Sequence, residues 1–236
     1  VDCTIQESWV STMSKYYQSG YDYIVGPSIV DSKPPRNIVS IFQKIDFLLL
    51  MIICRASNYF GYPLASSGQN QGFTKSLYNR VGGFTKINSF IGDDTAFLQH
   101  CNKIGCNSTF VDDNLANIYS RKESKLSNFL YQRIRWVSDA NKLWKINYNF
   151  FLLLFSSFIF FISLPILISI SDYFIIINLI LIKSICEFTL LFFGSKKLNT
   201  NINLYEFIIW EVLHIPYIIV VGTLSYFPKY IRWKGR

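Results

Sequence analysis

Between Phe150 and Ser171 the chain runs for 22 residues without a formal charge. As a helix, that run is long enough to cross the hydrocarbon core of a bilayer, about 30 Å thick. Pro165 within it would kink the helix, which neighbouring helices can accommodate. A second apolar span, Tyr173 to Phe193, carries Lys183 and Glu187 one helical turn apart. Opposite charges at that spacing are tolerable in lipid as a pair that faces protein. A third stretch, Phe207 to Phe227, is interrupted by Glu211, His214 and Pro216. His214 is expected to satisfy Glu211 or a backbone carbonyl, not a metal. If the polar N-terminal half is cytosolic, three crossings would leave the basic tail (Lys229, Arg232, Lys234, Arg236) outside, against the preference of cationic flanks for the cytosolic face. Either the third stretch is re-entrant or kinked and returns, or the rule is broken at the tail; the interruptions favour the first.

The remainder differs sharply in composition. Residues 1–145 are mixed and polar, whereas residues 146–236 form a membrane region of two to three apolar helices. The net charge of +8 is concentrated in Arg121 to Lys145 and in the tail. Both clusters flank apolar spans, which fits anchoring to an anionic membrane face and argues against a nucleic-acid surface. Membrane lipids are thus an expected partner and nucleic acid is not. The cysteines (Cys3, Cys54, Cys101, Cys106, Cys186) have no CxxC pairing and no His at zinc spacing, so free thiols in a reducing compartment are expected. The chain starts at Val without a Met and reads as a piece of a longer protein.

Along the polar half, residues 4–19 have weak helical periodicity, and Tyr21 to Val30 reads as a strand broken at Gly26-Pro27. Ile38 to Ser57 is apolar but carries Lys44, Asp46 and Arg55, and its run Phe47 to Cys54 is too short to span, so a buried or interface helix is expected. Tyr59 to Gln71 is a loop. Ser76 to Val81 is a short helix stopped by Gly82-Gly83. A further helix opens at Ile91-Gly92-Asp93-Asp94-Thr95 with Phe97, Cys101 and Ile104 as its apolar stripe, and Gly105 closes it. Strands at Cys106 to Val111 and Asn117 to Ser120 complete an α/β pattern.

Ser124 to Lys145 joins the two halves as an amphipathic helix. Leu126, Leu130, Ile134, Val137 and Trp144 fall on one stripe, with Phe129 at its edge. Gln132, Arg135 and Asp139 fall on the opposite side, with Trp136 at the border. Gln132, Arg135 and Trp136 stand at i, i+3, i+4 and can converge on one object. An amide, a guanidinium fork and an indole suit a phosphorylated, sugar-bearing ligand. The plainer alternative is a basic interfacial helix facing lipid headgroups. The carboxylates of Asp93 and Asp94 are the best catalytic candidates, one serving as general base toward a hydroxyl. Their alternative role is helix capping.

Gly68-Gln-Asn70-Gln-Gly-Phe73, then Val81-Gly-Gly-Phe84, Gly92-Asp-Asp94, Gln132-Arg133-Ile-Arg135-Trp136 and apolar spans: this order resembles the membrane-bound family 2 glycosyltransferases, the Gln-x-x-Arg-Trp branch that includes cellulose and hyaluronan synthases. The resemblance implies an incomplete GT-A domain over residues 1–145, followed by the membrane region. It implies an inverting transfer from a nucleotide-diphosphate sugar to a lipid-linked or cell-surface glycan at the cytosolic face of the inner or plasma membrane. Asp94 would be the base and Asp93 the accompanying acid. Gln132 and Arg135 would hold the diphosphate and Trp136 would line the acceptor site, with Arg133, Gly68 and Asn70 in the same binding set. The family uses a divalent cation, Mn2+ or Mg2+, and Asp2 would stand at its second metal-binding Asp. The nucleotide-binding half would lie upstream of Val1, so the segment alone is expected to be inactive. A processive polysaccharide synthase, and a non-catalytic scaffold or transporter segment built on Lys183/Glu187 and Glu211/His214, are the alternatives.

Overall fold

The computed structural model of the chain describes residues 3–31, 33–34, 36–87, 93–170 and 173–230. In chain order the elements are β1 (Cys3–Thr4), α1 (Trp9–Gln18), β2 (Tyr23–Val25), β3 (Ser28–Val30), α2 (Ile38–Tyr59), β4 (Gln71–Phe73), α3 (Lys75–Val81), α4 (Asp93–Lys103), β5 (Ser108–Phe110), β6 (Ile118–Ser120), α5 (Leu126–Ala140), α6 (Tyr148–Ile170), α7 (Tyr173–Lys197) and α8 (Leu204–Leu224).

Two small mixed sheets carry the polar half. In one, β2 pairs antiparallel with β4 and parallel with β5; in the other, β6 pairs antiparallel with β1 and parallel with β3. The break at Gly26-Pro27 hands the chain from the first sheet to the second. Proline donates nothing to a ladder, and here the Pro27 carbonyl accepts from Ile118 N at 3.1 Å. Tyr23, Ile24 and Val25 are all fully buried, as expected for a strand covered on both faces.

The charges that argue against a membrane role for α2 are each neutralised by another element. Lys44 Nζ donates to Glu206 Oε2 at 2.7 Å and Arg36 Nη1 to Glu206 Oε1 at 2.9 Å. Arg133 of α5 pairs with Asp46 at 2.9 Å, and Arg55 grips Asp112 through Nε at 2.6 Å and Nη2 at 2.7 Å. The helix starts at a capping box between Asn37 and Ser40, which satisfies two backbone donors reciprocally. It is the buried interface helix its sequence implies.

Two expected stripes need correction. Phe97 and Cys101 of α4 are buried, but Ile104 is 46% exposed, because the helix already ends at Lys103 and Gly105 turns the chain at φ 71°. On α5 the buried residues are Phe129, Arg133, Ile134 and Ser138, whereas Leu126 and Trp144 are exposed. Trp144 lies in the tighter 3-10 turn Asn141–Lys145, where the 100° spacing no longer holds, and Asp46 draws Arg133 inward.

The helices α6, α7 and α8 are long and apolar enough to cross a membrane. The third is one continuous helix of 21 residues through Pro216, not the re-entrant or returning stretch expected. Its polar interruptions are absorbed by α7: Lys183 Nζ donates to Glu211 Oε1 at 2.9 Å and to Glu187 Oε2 at 2.6 Å, and Ser184 Oγ donates to the same Glu211 oxygen at 2.6 Å. His214 does not satisfy Glu211; its ring stacks on Trp210 with centroids 4.1 Å apart. Arg232, Lys234 and Arg236 lie outside the described residues. One hydrophobic core runs from Tyr23 and Met51 through Phe97 and Phe129 to Phe207 and Trp210, so strands, interface helix and membrane helix share it.

Candidate active site

Asp93 and Asp94 form the first turn of α4. Asp94 Oδ2 accepts from the Gly68 amide at 2.7 Å and Oδ1 from the Thr95 amide at 2.7 Å. Residues 61–71 run alongside α4 and are stitched to it. Thr95 Oγ1 donates to the Ser66 carbonyl at 3.1 Å and accepts from the Ser66 amide at 3.2 Å. Behind them Ser66 Oγ donates to Gln71 Oε1 at 2.7 Å, and Tyr23 OH donates to the same oxygen at 2.5 Å. Gly68 lets the chain approach closely: a Cβ there would stand 3.3 Å from Asp94 Oδ2, tight enough to press on the carboxylate. Burial raises the Asp94 carboxyl above its ordinary pKa, the amides of Gly68 and Thr95 pull it down, and the charge of Asp93 adds to the rise. A desolvated carboxylate held by backbone donors is stiff, correctly aimed and more basic than one in water.

Helix α5 carries the other polar candidates. Gln132, Arg135 and Asp139 are spaced i, i+3, i+7 and share one face. The charges of Arg135 and Asp94 act on one another, and Asp139 feels both. Burial lowers the Arg135 pKa, while Asp139 and Asp94 oppose that shift. Asp139 is pushed up to about 6 by burial, against Lys142 and Arg135. Gln132 Oε1 and Asp139 Oδ2 are buried and accept no hydrogen bond. Two orphaned acceptors on one helix face leave a desolvation cost that a ligand hydroxyl or N–H would offset.

Other expected site residues lie elsewhere. Arg133 is a correction: its side chain is 4% exposed and pairs with Asp46, with its guanidinium 4.2 Å from the Trp136 ring centroid and 5.1 Å from that of Phe129. It joins α2 to α5 and does not reach a ligand. Asn70 is a second correction. It is fully buried, and its Nδ2 donates to the Pro27 and Ala116 carbonyls at 2.7 and 2.9 Å. Its Oδ1 accepts from Trp9 Nε1 at 3.0 Å, so the amide ties α1 to the strand break. Trp136 is half-buried, packed 5.9 Å from the Phe47 ring, with Arg133 on its face. Asp2 and Gly92 lie outside the described residues. Among the described residues no three carboxylate, imidazole or thiol groups meet as a metal-ion site, and the divalent-cation expectation at Asp2 falls outside them.

Sequence reasoning placed Asp139 on the Gln132/Arg135 face but gave it no role. It missed Ser66, Thr95 and Tyr23, whose part depends on long-range packing that no local spacing announces. Residues 4–224 match the family model described as Glycosyl transferase family group 2. A search of curated proteins finds no match.

Proposed function

Because the chain belongs to glycosyl transferase family group 2, we propose that it carries the acceptor side and membrane region of an inverting glycosyltransferase, using a nucleotide-diphosphate sugar to extend a lipid-linked or cell-surface glycan at the cytosolic membrane face. The observation that carries this reading is Asp94, a desolvated carboxylate held on the Gly68 amide within the field of Arg135. Asp94 takes the proton of an acceptor hydroxyl. The hydroxyl oxygen bonds to the anomeric carbon as the bond from that carbon to the diphosphate oxygen breaks. The proton ends on Asp94 and the electron pair on the leaving diphosphate, whose growing charge Arg135 stabilises in a water-poor site.

Gln132 and Arg135 hold the diphosphate, Asp93 is the accompanying acid, and Trp136 lines the acceptor side. Membership of the branch that includes cellulose and hyaluronan synthases rests on Gln132, Arg135 and Trp136. One or a few transfers per acceptor is the favoured mode, and product length with a radiolabelled donor separates it from processive synthesis.

The test uses the full-length protein in membranes. Nucleotide-diphosphate sugars should raise its thermal midpoint with one sugar preferred, and Asp94→Asn should abolish transfer while keeping that shift. Undiminished turnover in Asp94→Asn would overthrow the assignment, and the absence of any shift with any donor would favour the scaffold or transporter alternative.

A further inference from the structure

The far end of α4 opens onto a groove. It measures about 570 Å3 and lies where the C-terminal turn of α4 and the turn at Tyr62 meet the start of α6. That volume is in the range of small-ligand sites. Its floor is built from side-chain amides. Gln99 donates to the Pro63 and Leu64 carbonyls at 2.9 and 2.8 Å and accepts from Asn147 at 2.8 Å. Asn102 Nδ2 donates to the Pro63 carbonyl at 3.0 Å.

The lining has a chemical bias. Asn107 Nδ2 donates inward to the Gly20 carbonyl at 3.0 Å, and Asn149 Nδ2 donates to Tyr62 OH at 3.2 Å. Each amide keeps its oxygen and a second N–H for a ligand, so with the Tyr62 and Ser108 hydroxyls the groove offers both acceptors and donors. Phosphate at full ionisation only accepts and favours cationic donors, of which Lys103 alone lines the groove among the described residues. A sugar, whose hydroxyls donate and accept, fits the set.

Two further observations fix the setting. The rim is aromatic at the membrane boundary. Tyr148 opens the first apolar helix and is 60% exposed, and Phe60, next to the groove wall, is 79% exposed. Exposed aromatic rings at such a boundary sit at headgroup level. The groove also shares its wall with the candidate active site, since residues 61–71 follow α4 from Pro63 beside Gln99 to Gly68 at Asp94. Eight helical rises separate Asp94 from Asn102, about 12 Å along the axis.

We propose that this groove holds the uncharged sugar headgroup of the membrane lipid that accepts the transferred sugar. The assignment of that lipid as acceptor rests on the glycosyltransferase reading. The groove fixes the headgroup at the interface, its acyl chains pass the Tyr148 rim into the bilayer, and the growing end extends along α4 toward Asp94.

Cys106 lines the groove as a half-buried thiol and reports its occupancy without any catalysis. The full-length protein is placed in phosphatidylcholine nanodiscs carrying glucosyl, galactosyl or mannosyl diacylglycerol, or phosphatidic acid. Maleimide labelling of Cys106 is then followed by peptide mass spectrometry. At least one glycolipid should slow labelling several-fold, phosphatidic acid should not, and Asn149→Ala should remove the protection. No protection by any glycolipid, or equal protection by phosphatidic acid, overturns the proposal.

In transfer assays Tyr148→Ala and Asn149→Ala, both at exposed positions, should raise KM for the glycolipid acceptor several-fold and leave donor KM unchanged. An unchanged acceptor KM in a protein that does transfer sugar defeats the groove alone. A wild-type protein that protects Cys106 yet transfers nothing defeats the glycosyltransferase reading alone.

Discussion

Arg133 and Arg135 stand two residues apart on α5 and serve opposite ends. Arg133 faces α2, where the Asp46 carboxylate and the rings of Phe47, Phe129 and Trp136 surround it. Arg135 lies on another face, where its charge acts with those of Asp94 and Asp139 and where Gln132 Oε1 and Asp139 Oδ2 accept nothing from the described residues. The α2 contact supplies a counter-ion and aromatic faces, although Arg133 Nε and Nη2 make no hydrogen bond there; the other face leaves two buried acceptors without a donor. A buried cation beside its counter-ion holds two helices together, and buried acceptors next to a candidate base are where a ligand donor would gain most.

The largest expected effect is on chemistry. Asp94→Asn should lower kcat by about 10²–10⁴-fold, the usual contribution of a positioned base, without loss of folding. The raised Asp94 carboxyl works the same way in its pH dependence: activity should fall as pH drops through its elevated value, because the protonated form cannot accept the acceptor's proton.

Next is the α2 contact. Asp46→Asn leaves Arg133 buried beside a neutral partner and should cost about 3–5 kcal/mol of stability, read from denaturant or thermal unfolding in detergent, with donor affinity of the remaining folded protein near wild type. Arg135→Gln should do the reverse, weakening donor binding at near-normal stability. If the two variants exchange phenotypes, the division between them is wrong.

A smaller effect is expected at Asp139. Its carboxyl titrates near pH 6, above the ordinary carboxylate value, so the ionised form opposes folding. That cost accrues as pH rises from the ordinary value toward 6 and is complete above it. Asp139→Asn should therefore raise thermal stability above pH 6 and change it little in acid. A variant equally stable or weaker at neutral pH would contradict the burial of that oxygen. The mildest variant is Gly68→Ala. Its new methyl group would press on Asp94 Oδ2 and should reduce kcat a few-fold with acceptor and donor KM retained.

Much of this architecture was legible from local pattern. The break at Gly26-Pro27, the stop at Gly82, the three apolar spans and the Lys183–Glu187 pair each follow from residues that act on near neighbours. The Gln132/Arg135 face was legible too, since helical spacing is enough to draw it. What escaped was set by contacts distant in sequence. Arg133 looks like a fourth member of the motif until Asp46, on another helix, claims it, and Asn70 looks like a loop ligand until Pro27, Ala116 and Trp9 use all its polar atoms. The continuity of α8 was missed because Glu211 looks unaffordable in lipid until Lys183 and Ser184 are seen beside it.

The central claim is that α5 brings Arg135 into the same cleft as Asp94. The direct measurement is a 13C-carboxylate titration of Asp94 in the wild-type protein and in Arg135→Gln. Removing the cation should disfavour the ionised carboxylate and move the Asp94 midpoint to higher pH. A midpoint that does not move would mean that the two groups do not share a site.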